Sequence, residues 1–311
     1  MSNGAAVIAQ NLVRSFGATA AVRDVSFSIR RGEIFGFAGP DGAGKTTVMR
    51  MLAGVLRPDS GGIEVEGVNV IANPEGVKSL LSYMPQRFGL YEDLTIAENI
   101  LFYAELFSVP RKIRLARARE LLEAAGLVPF QKRLAGQLSG GMKQKLGLVC
   151  ALIHTPSVLL LDEPTTGVDP VSRRDFWAIL YNLRESGVTI VLSTAYMDEA
   201  ERCSRLALMH AGKIHYCDTP ASLKQAMPGM LLAITAANPR AVRSALADAP
   251  GVLGLLLMGD RVNVRVDDAA RRAPELHARL NAQHIAITGI SRIEPAIEDV
   301  FVALVGGGAG A

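Results

Sequence analysis

Short apolar runs recur along the chain, each closed by glycine, proline or a polar cluster, and amphipathic stretches lie between them. Residues 6–13 and 20–30 predict two strands, with Val22, Val25, Phe27 and Ile29 alternating in part. A buried strand at 34–38 leads through a glycine-rich stretch into an apolar helix at 48–56. Ile63, Val65 and Val68 predict a further strand, and Asn73-Pro74 opens a helix, with proline at its first position. The run 81–85 reads as a buried strand. Thr95 and Glu98 form a capping box for a helix to about 107. A second helix at 111–125 packs through Ile113, Leu121 and Leu122, while Arg111, Lys112, Arg114, Arg117 and Arg119 make a solvated face. Residues 90–135 thus read as a mainly helical insertion in an α/β core. Ser139 starts an apolar helix through 153, and Ser157-Val158-Leu159-Leu160-Leu161 has the all-apolar character of a parallel strand buried on both faces. Asp169-Pro170 caps a helix to about 186, and 188–193 is another buried strand.

Beyond about residue 224 the order changes to strand (230–235), helix (239–247), two strands about Gly259-Asp260 (252–258 and 262–266), helix (274–282) and strand (285–290). This β-α-β, β-α-β order predicts a small ferredoxin-like module. Ile297, Val300, Phe301 and Leu304 fit a closing helix, and 306–311 is too rich in glycine to fold. A length of 311 residues, 49% of them hydrophobic and 20% charged, supports about two domains with real cores. The net charge of +3 gives no pull toward nucleic acid as a dominant partner. No apolar run nears the ~18 residues of a bilayer span, and no basic-then-apolar leader opens the chain, so a soluble protein that stays where it is made is expected. Cys150, Cys203 and Cys217 lack metal or disulfide spacing and read as core residues.

The candidate chemistry sits where strands end. Residues 39–47 read Gly39-Pro40-Asp41-Gly42-Ala43-Gly44-Lys45-Thr46-Thr47, between a strand and a helix. Glycines there allow a tight turn with inward N–H groups, and the helix dipole adds positive potential, which together cradle phosphate. Lys45 then reaches β- and γ-phosphates and the Thr46 hydroxyl reaches Mg²⁺. Asp162-Glu163 ends the 157–161 strand, where one carboxylate can hold Mg²⁺ through water and the next can polarise an attacking water. Other positions keep two readings. Phe16, ahead of the cradle, is a base-stacking aromatic or a satellite core residue. Gln86 is a turn residue or an oxygen ligand for Mg²⁺. Ser139-Gly140-Gly141 is a well-capped helix start or a second anion site.

Taken in order, these motifs resemble the nucleotide-binding domain of an ABC transporter, over about residues 5–225. Residues 39–47 match its Walker A loop, Gln86 its Q-loop, and 138–144 (Leu-Ser-Gly-Gly-Met-Lys-Gln) its signature. Residues 159–163 match Walker B with its glutamate, and 167–169 the D-loop. The wording around them is similar to the drug-exporter branch, in particular the first half of bacterial exporter ATPases with two such domains in tandem. The resemblance implies an α/β P-loop NTPase core with an antiparallel β subdomain and a helical insertion at about 90–155, occupying 1–225. An α+β accessory domain at 226–305 and a flexible tail at 306–311 follow. It implies ATP and Mg²⁺ as cofactors, with Phe16 on adenine, residues 39–47 on the phosphates, Thr46, Gln86 and Asp162 around the metal, and Glu163 as general base assisted by Gln86 and Lys45. It implies ATP hydrolysis driving export, polytopic membrane subunits as partners, and a place on the inner face of the cell membrane. Ser139 and Gly141 would complete the site of a second ATPase domain.

One position departs from the pattern. The loop after the 188–193 strand carries Ala195 where most family members have a histidine that contacts the γ-phosphate, and none of the five histidines (His154, His210, His215, His277, His284) is near enough in sequence to replace it. A methyl group donates no hydrogen bond, so this chain's own site is expected to be slow, by about 10²- to 10³-fold as for loss of one oxyanion donor, and a heterodimer is the expected assembly. The alternatives are a soluble ABC ATPase acting outside transport and a regulatory nucleotide binder that hardly turns over.

Overall fold

The computed structural model describes residues 4–305; the tail expected at 306–311 lies outside them. The chain divides into two compact units, Met1–Cys217 and Asp218–Ala311.

The first unit runs β1 (Ala5–Phe16), β2 (Thr19–Arg30), β3 (Ile34–Ala38), α1 (Lys45–Leu52), β4 (Ser60–Val65), β5 (Val68–Asn69), α2 (Pro74–Val77), β6 (Leu81–Met84), α3 (Ile96–Leu106), α4 (Arg111–Ala124), α5 (Gly140–Leu152), β7 (Val158–Asp162), α6 (Pro170–Glu185), β8 (Thr189–Thr194), α7 (Met197–Ala200), β9 (Arg205–His210) and β10 (Lys213–Asp218). Strands β2-β1-β4-β5 form an antiparallel sheet. A second sheet has the order β10-β9-β3-β8-β7-β6, with β9, β3, β8, β7 and β6 parallel. Every residue of β3, β7 and β8 is buried, which is why these segments are nearly free of alternation. Their register decides the position of the site. Ala38 pairs with Thr194, Asp162 with Ser193 and Met84 with Leu161, so the loops leaving β3, β6, β7 and β8 emerge together at the carboxyl ends of the strands. Phe27, Phe35 and Phe37 pack the core, with Phe37 edge-on to the other two at 5.0 and 5.2 Å, and burial of each contributes about 1.5–3 kcal/mol.

Helices α3, α4 and α5 build a separate core around Ile96, Ile100, Leu122, Leu146 and Ile153. The capping box of Thr95 and Glu98 is present. Asn99, fully buried, holds the approach to α3 through hydrogen bonds to the backbone of Tyr91, Leu94 and Thr95.

The second unit runs α8 (Pro220–Ala226), β11 (Met230–Ala236), α9 (Pro239–Leu246), β12 (Val252–Met258), β13 (Arg261–Val266), α10 (Ala269–Ala282), β14 (Ile287–Ile293) and α11 (Ile297–Leu304). Its antiparallel sheet has the order β12-β13-β11-β14, which in strand sequence is the 2-3-1-4 arrangement of a ferredoxin-like module. Among the described residues no helix is long and apolar enough to cross a membrane.

Several boundaries differ from expectation. The units divide at 217/218 rather than 225/226, because Thr219 caps α8 and α8 packs on α11. The helix after the cradle spans Lys45–Leu52, not 48–56, since Gly44 at φ 101° serves as its N-cap and the next residue is already helical. The segment 63–68 is a hairpin of β4 and β5 rather than one strand. α10 begins at Ala269, five residues before the expected start at Pro274, because the Asp268 carboxylate accepts from the Arg271 N–H and caps it there. The last strand lies at Ile287–Ile293, paired along β11, and not at 285–290.

Candidate functional site

The cradle is built by β3, α1 and the loop between them. Gly44 needs its glycine twice over: its φ is positive, and a Cβ would stand 2.4 Å from the Ala21 carbonyl oxygen. With no side chain to cap α1, the first N–H groups of the helix are left for an anion. Lys45 is buried, and its ammonium donates to the carbonyls of Gly39 at 2.8 Å and Pro40 at 3.0 Å. Its Nζ also lies 3.3 Å from Glu163 Oε1. A cation is therefore held at the mouth of the loop, its backbone donors beside it.

The two consecutive carboxylates face different surroundings. Asp162 is buried; Oδ1 accepts from Ser193 Oγ at 2.6 Å and Thr46 Oγ1 at 3.0 Å, and Oδ2 accepts from the Tyr83 hydroxyl at 3.1 Å. Burial, with the charge of Asp162 adding to it, pushes the Tyr83 phenol up to about 12. Tyr83 therefore stays a neutral donor. Glu163 follows at φ 49°, in the left-handed region that side chains rarely adopt. Its N–H is anchored to Ser193 Oγ at 3.0 Å. Its carboxylate accepts from Gln86 Nε2 at 3.1 Å and has Thr166 Oγ1 at 3.4 Å. The backbone kink turns the second carboxylate away from the first and toward open space.

That space is a cavity of about 780 Å³ lined by Phe16, Arg23, residues 41–47, Gln86, Glu163, Thr166, Ala195 and Tyr196 among others. Phe16 closes β1 rather than sitting in a free loop. It is 49% exposed, with the Arg14 guanidinium 5.0 Å from its ring centre, so the core reading of this residue fails. Ala195 presents its methyl group to the cavity. Tyr196 is beside it, its ring covered by the Arg173 guanidinium at 4.2 Å and its N–H held by Thr194 Oγ1 at 2.9 Å. Thus Phe16, Asp41, Gly42, Ala43, Gly44, Lys45, Thr46, Thr47, Gln86 and Glu163 meet in one cavity, with Gly39, Pro40 and Asp162 directly behind.

Ser139 and Gly141 do not join them. The Ser139 hydroxyl accepts from the Met142 N–H and caps α5, while Gly141 lies against α6, where a Cβ would meet Ser172 at 2.5 Å. Sequence reasoning missed Tyr83 and Ser193, which hold Asp162, and a buried group behind Ala195. In that group Glu199 accepts from Thr165 Oγ1, from Thr194 Oγ1 at 2.8 Å and from Trp177 Nε1 at 3.3 Å. The polar residues Ser193-Thr194, directly after the apolar run Ile190-Val191-Leu192, were the available signal.

The donor set suits Mg²⁺ with a phosphate ligand. Hydroxyl, carboxylate and amide oxygens are hard ligands, and Mg²⁺ takes one or two carboxylates with phosphate oxygens and water completing its shell. Among the described residues no group of three or more His, Cys, Asp or Glu is placed to hold a metal ion.

Residues 22–166 match the ABC transporter family model. Over 290 residues the chain is 44% identical to the probable multidrug ABC transporter ATP-binding protein YbhF of Escherichia coli K12, covering 92% of this chain and 49% of that protein. The chain thus spans about half the length of that relative. It is 31% identical over 312 residues to the doxorubicin resistance ATP-binding protein DrrA of Mycobacterium tuberculosis, covering 96% of this chain and 93% of DrrA. Among solved structures, an ATP-binding subunit of an ABC transporter superposes with a TM-score of 0.64 at 28% identity, over 70% of this chain and 92% of its own.

Proposed function

The chain belongs to the ABC transporter ATP-binding family, and from that premise we propose that it binds Mg·ATP in the 780 Å³ cavity and hydrolyses it to power export through separate membrane subunits. The observation that carries the reading is the Glu163 carboxylate, turned into the cavity beside Lys45 at 3.3 Å and Gln86 at 3.1 Å, while Asp162 is held back with Thr46.

In this reading Phe16 stacks on the adenine face, and the 39–47 backbone with Lys45 neutralises the phosphates. Thr46, Gln86 and Asp162 would hold Mg²⁺, which would supply positive charge against the phosphates. Glu163 orients the attacking water and takes its proton, with Gln86 fixing the carboxylate. Ser139 and Gly141, remote from this chain's cavity, complete the site of a second ATPase domain, on a separate subunit or on the same longer polypeptide. Exposed Tyr91, Leu101, Phe102 and Leu106 of the helical insertion offer an apolar surface to membrane subunits, and in this reading the chain works from the inner face of the membrane. The test is Glu163→Gln in the assembled transporter, with hydrolysis read by single turnover at this chain's own cradle. ATP binding persists and turnover falls by about 10²- to 10⁴-fold; undiminished turnover overturns the assignment.

Ala195 favours a refinement. With a methyl group where a γ-phosphate donor would sit, this chain's own site turns over slowly, and faster hydrolysis takes place on the partner's cradle against Ser139 and Gly141. A heterodimer follows from that asymmetry.

A further inference from the structure

The second unit carries a surface for which ATP chemistry has no use. Among the described residues β12 is an edge strand, paired with β13 on one side only, and its sequence Val-Leu-Gly-Leu-Leu-Leu-Met is apolar from end to end with none of its residues fully buried. Soluble proteins blunt such edges with charge, proline or a bulge, because the free N–H and C=O groups template another strand. Blunting here is confined to the start of the strand, where the register shifts at Leu253 and the Arg265 guanidinium donates to the Leu253 carbonyl at 2.9 Å. From Gly254 to Met258 the pairing with β13 is regular.

Along this edge runs an open groove of about 850 Å³ between β12 and α9, with Leu255 and Leu257 on its floor and Arg240 and Arg243 on its wall. Both arginines are exposed, and neither has a hydrogen bond or ion pair with any described residue. We propose that β12 with Arg240 and Arg243 is a docking edge for an extended polypeptide segment of a partner in which acidic and apolar residues alternate, added to the sheet as a fifth strand. Backbone pairing supplies affinity in such an arrangement and side chains supply selectivity.

The spacing fits. Residues three apart on a helix have Cβ atoms about 5–6 Å apart, and alternate residues of a strand lie about 6.6 Å apart. Carboxylates at positions i and i+2 of the incoming strand therefore meet the two guanidinium groups. The intervening apolar side chains fall on the other face of the sheet, beside Leu256 and Val302. A second copy of this chain fits poorly. Antiparallel pairing of β12 with itself about an axis normal to the sheet puts both α9 helices on one face and crowds four arginines into one groove.

The test uses the full chain and a capped octapeptide alternating Glu and Val. Hydrogen exchange reports protection at residues 254–258, and fluorescence anisotropy reports affinity. Expected are protection of these amides, weaker binding at high salt, and an affinity lower by about tenfold in the Arg240→Glu, Arg243→Glu double variant, whose surface changes leave its melting temperature unaltered. Lack of protection overturns the proposal. So does equal binding of a Lys/Val peptide or of a peptide with Glu and Val in separate blocks. Protection of β12 by self-association without peptide assigns the edge to a second copy, and stronger protection by phosphatidylserine vesicles assigns it to lipid; either overturns it.

Discussion

At the scale of single residues, the site rests on separating neighbours. Asp162 and Glu163 are adjacent, yet one is buried against Thr46, Ser193 and Tyr83 and the other faces the cavity. Ser193 serves both, donating to Asp162 Oδ1 and accepting from the Glu163 N–H. Ser193→Ala is expected to cost about 1–3 kcal/mol, because it withdraws a donor from a buried carboxylate, and to weaken Mg²⁺ dependence of nucleotide binding; denaturant titration and a Mg²⁺ titration check the two effects. Ala195→His should raise single-turnover hydrolysis at this chain's own site by up to about 10²-fold with ATP affinity nearly constant. No gain in the reconstituted complex removes Ala195 as the limiting residue. The Walker-type residues were legible because their chemistry is local, a loop of nine consecutive positions. Tyr83 and Ser193 were not, because their role arises only when three parallel strands are set in register.

At the scale of elements, caps and close approaches set what the helices tolerate. Thr95 accepts from the Glu98 N–H and Glu98 returns the bond to Thr95, so Thr95→Ala should destabilise the insertion by about 1 kcal/mol. A shift in the urea midpoint at constant slope is the readout. Gly141→Ala drives a Cβ into Ser172 and is expected to lower the melting temperature as well as disturb the face proposed to meet a second ATPase domain. His154, at the end of α5, stacks on Phe107 at 4.0 Å with Nε2 3.3 Å from the Leu81 carbonyl. Burial lowers its proton affinity, partly offset by that carbonyl. The unfolded chain then binds the proton first. Stability from this site is complete above about pH 6.5 and drains as pH falls below that toward the lowered native value. Melting followed from pH 7.5 to 5.5 should fall more steeply for the native chain than for His154→Phe. Helix starts were readable from capping residues. The early start of α10 was not, because an interior proline loses a hydrogen bond and clashes with the preceding turn at a cost of about 3 kcal/mol, which is offset here by packing of Ala269, Leu276 and Leu280 in the core, a tertiary contribution.

For the whole molecule, the decisive feature is that the signature residues Ser139 and Gly141 do not line the cavity. Ser139 caps α5 and Gly141 packs on α6, so neither serves the cradle of its own chain. Glu163→Gln protein with Mg·ATP is therefore expected to associate, with itself or with a partner ATPase domain, and to dissociate with ADP; sedimentation velocity distinguishes these. The sequence by itself determined the glycine-rich loop between a strand and a helix, the adjacent carboxylates at a strand end, the alternation of strands and helices and the β-α-β, β-α-β module, since each depends on a few neighbouring residues and a repeating hydrophobic period. Only the tertiary structure decided that β3, β6, β7 and β8 deliver their loops to one cavity, that Phe16 lies at its rim rather than in a core, and that β12 ends its sheet with one side unpaired. Those facts depend on which strands lie side by side and in what register, and hydrogen bonding between distant segments, not local preference, settles that.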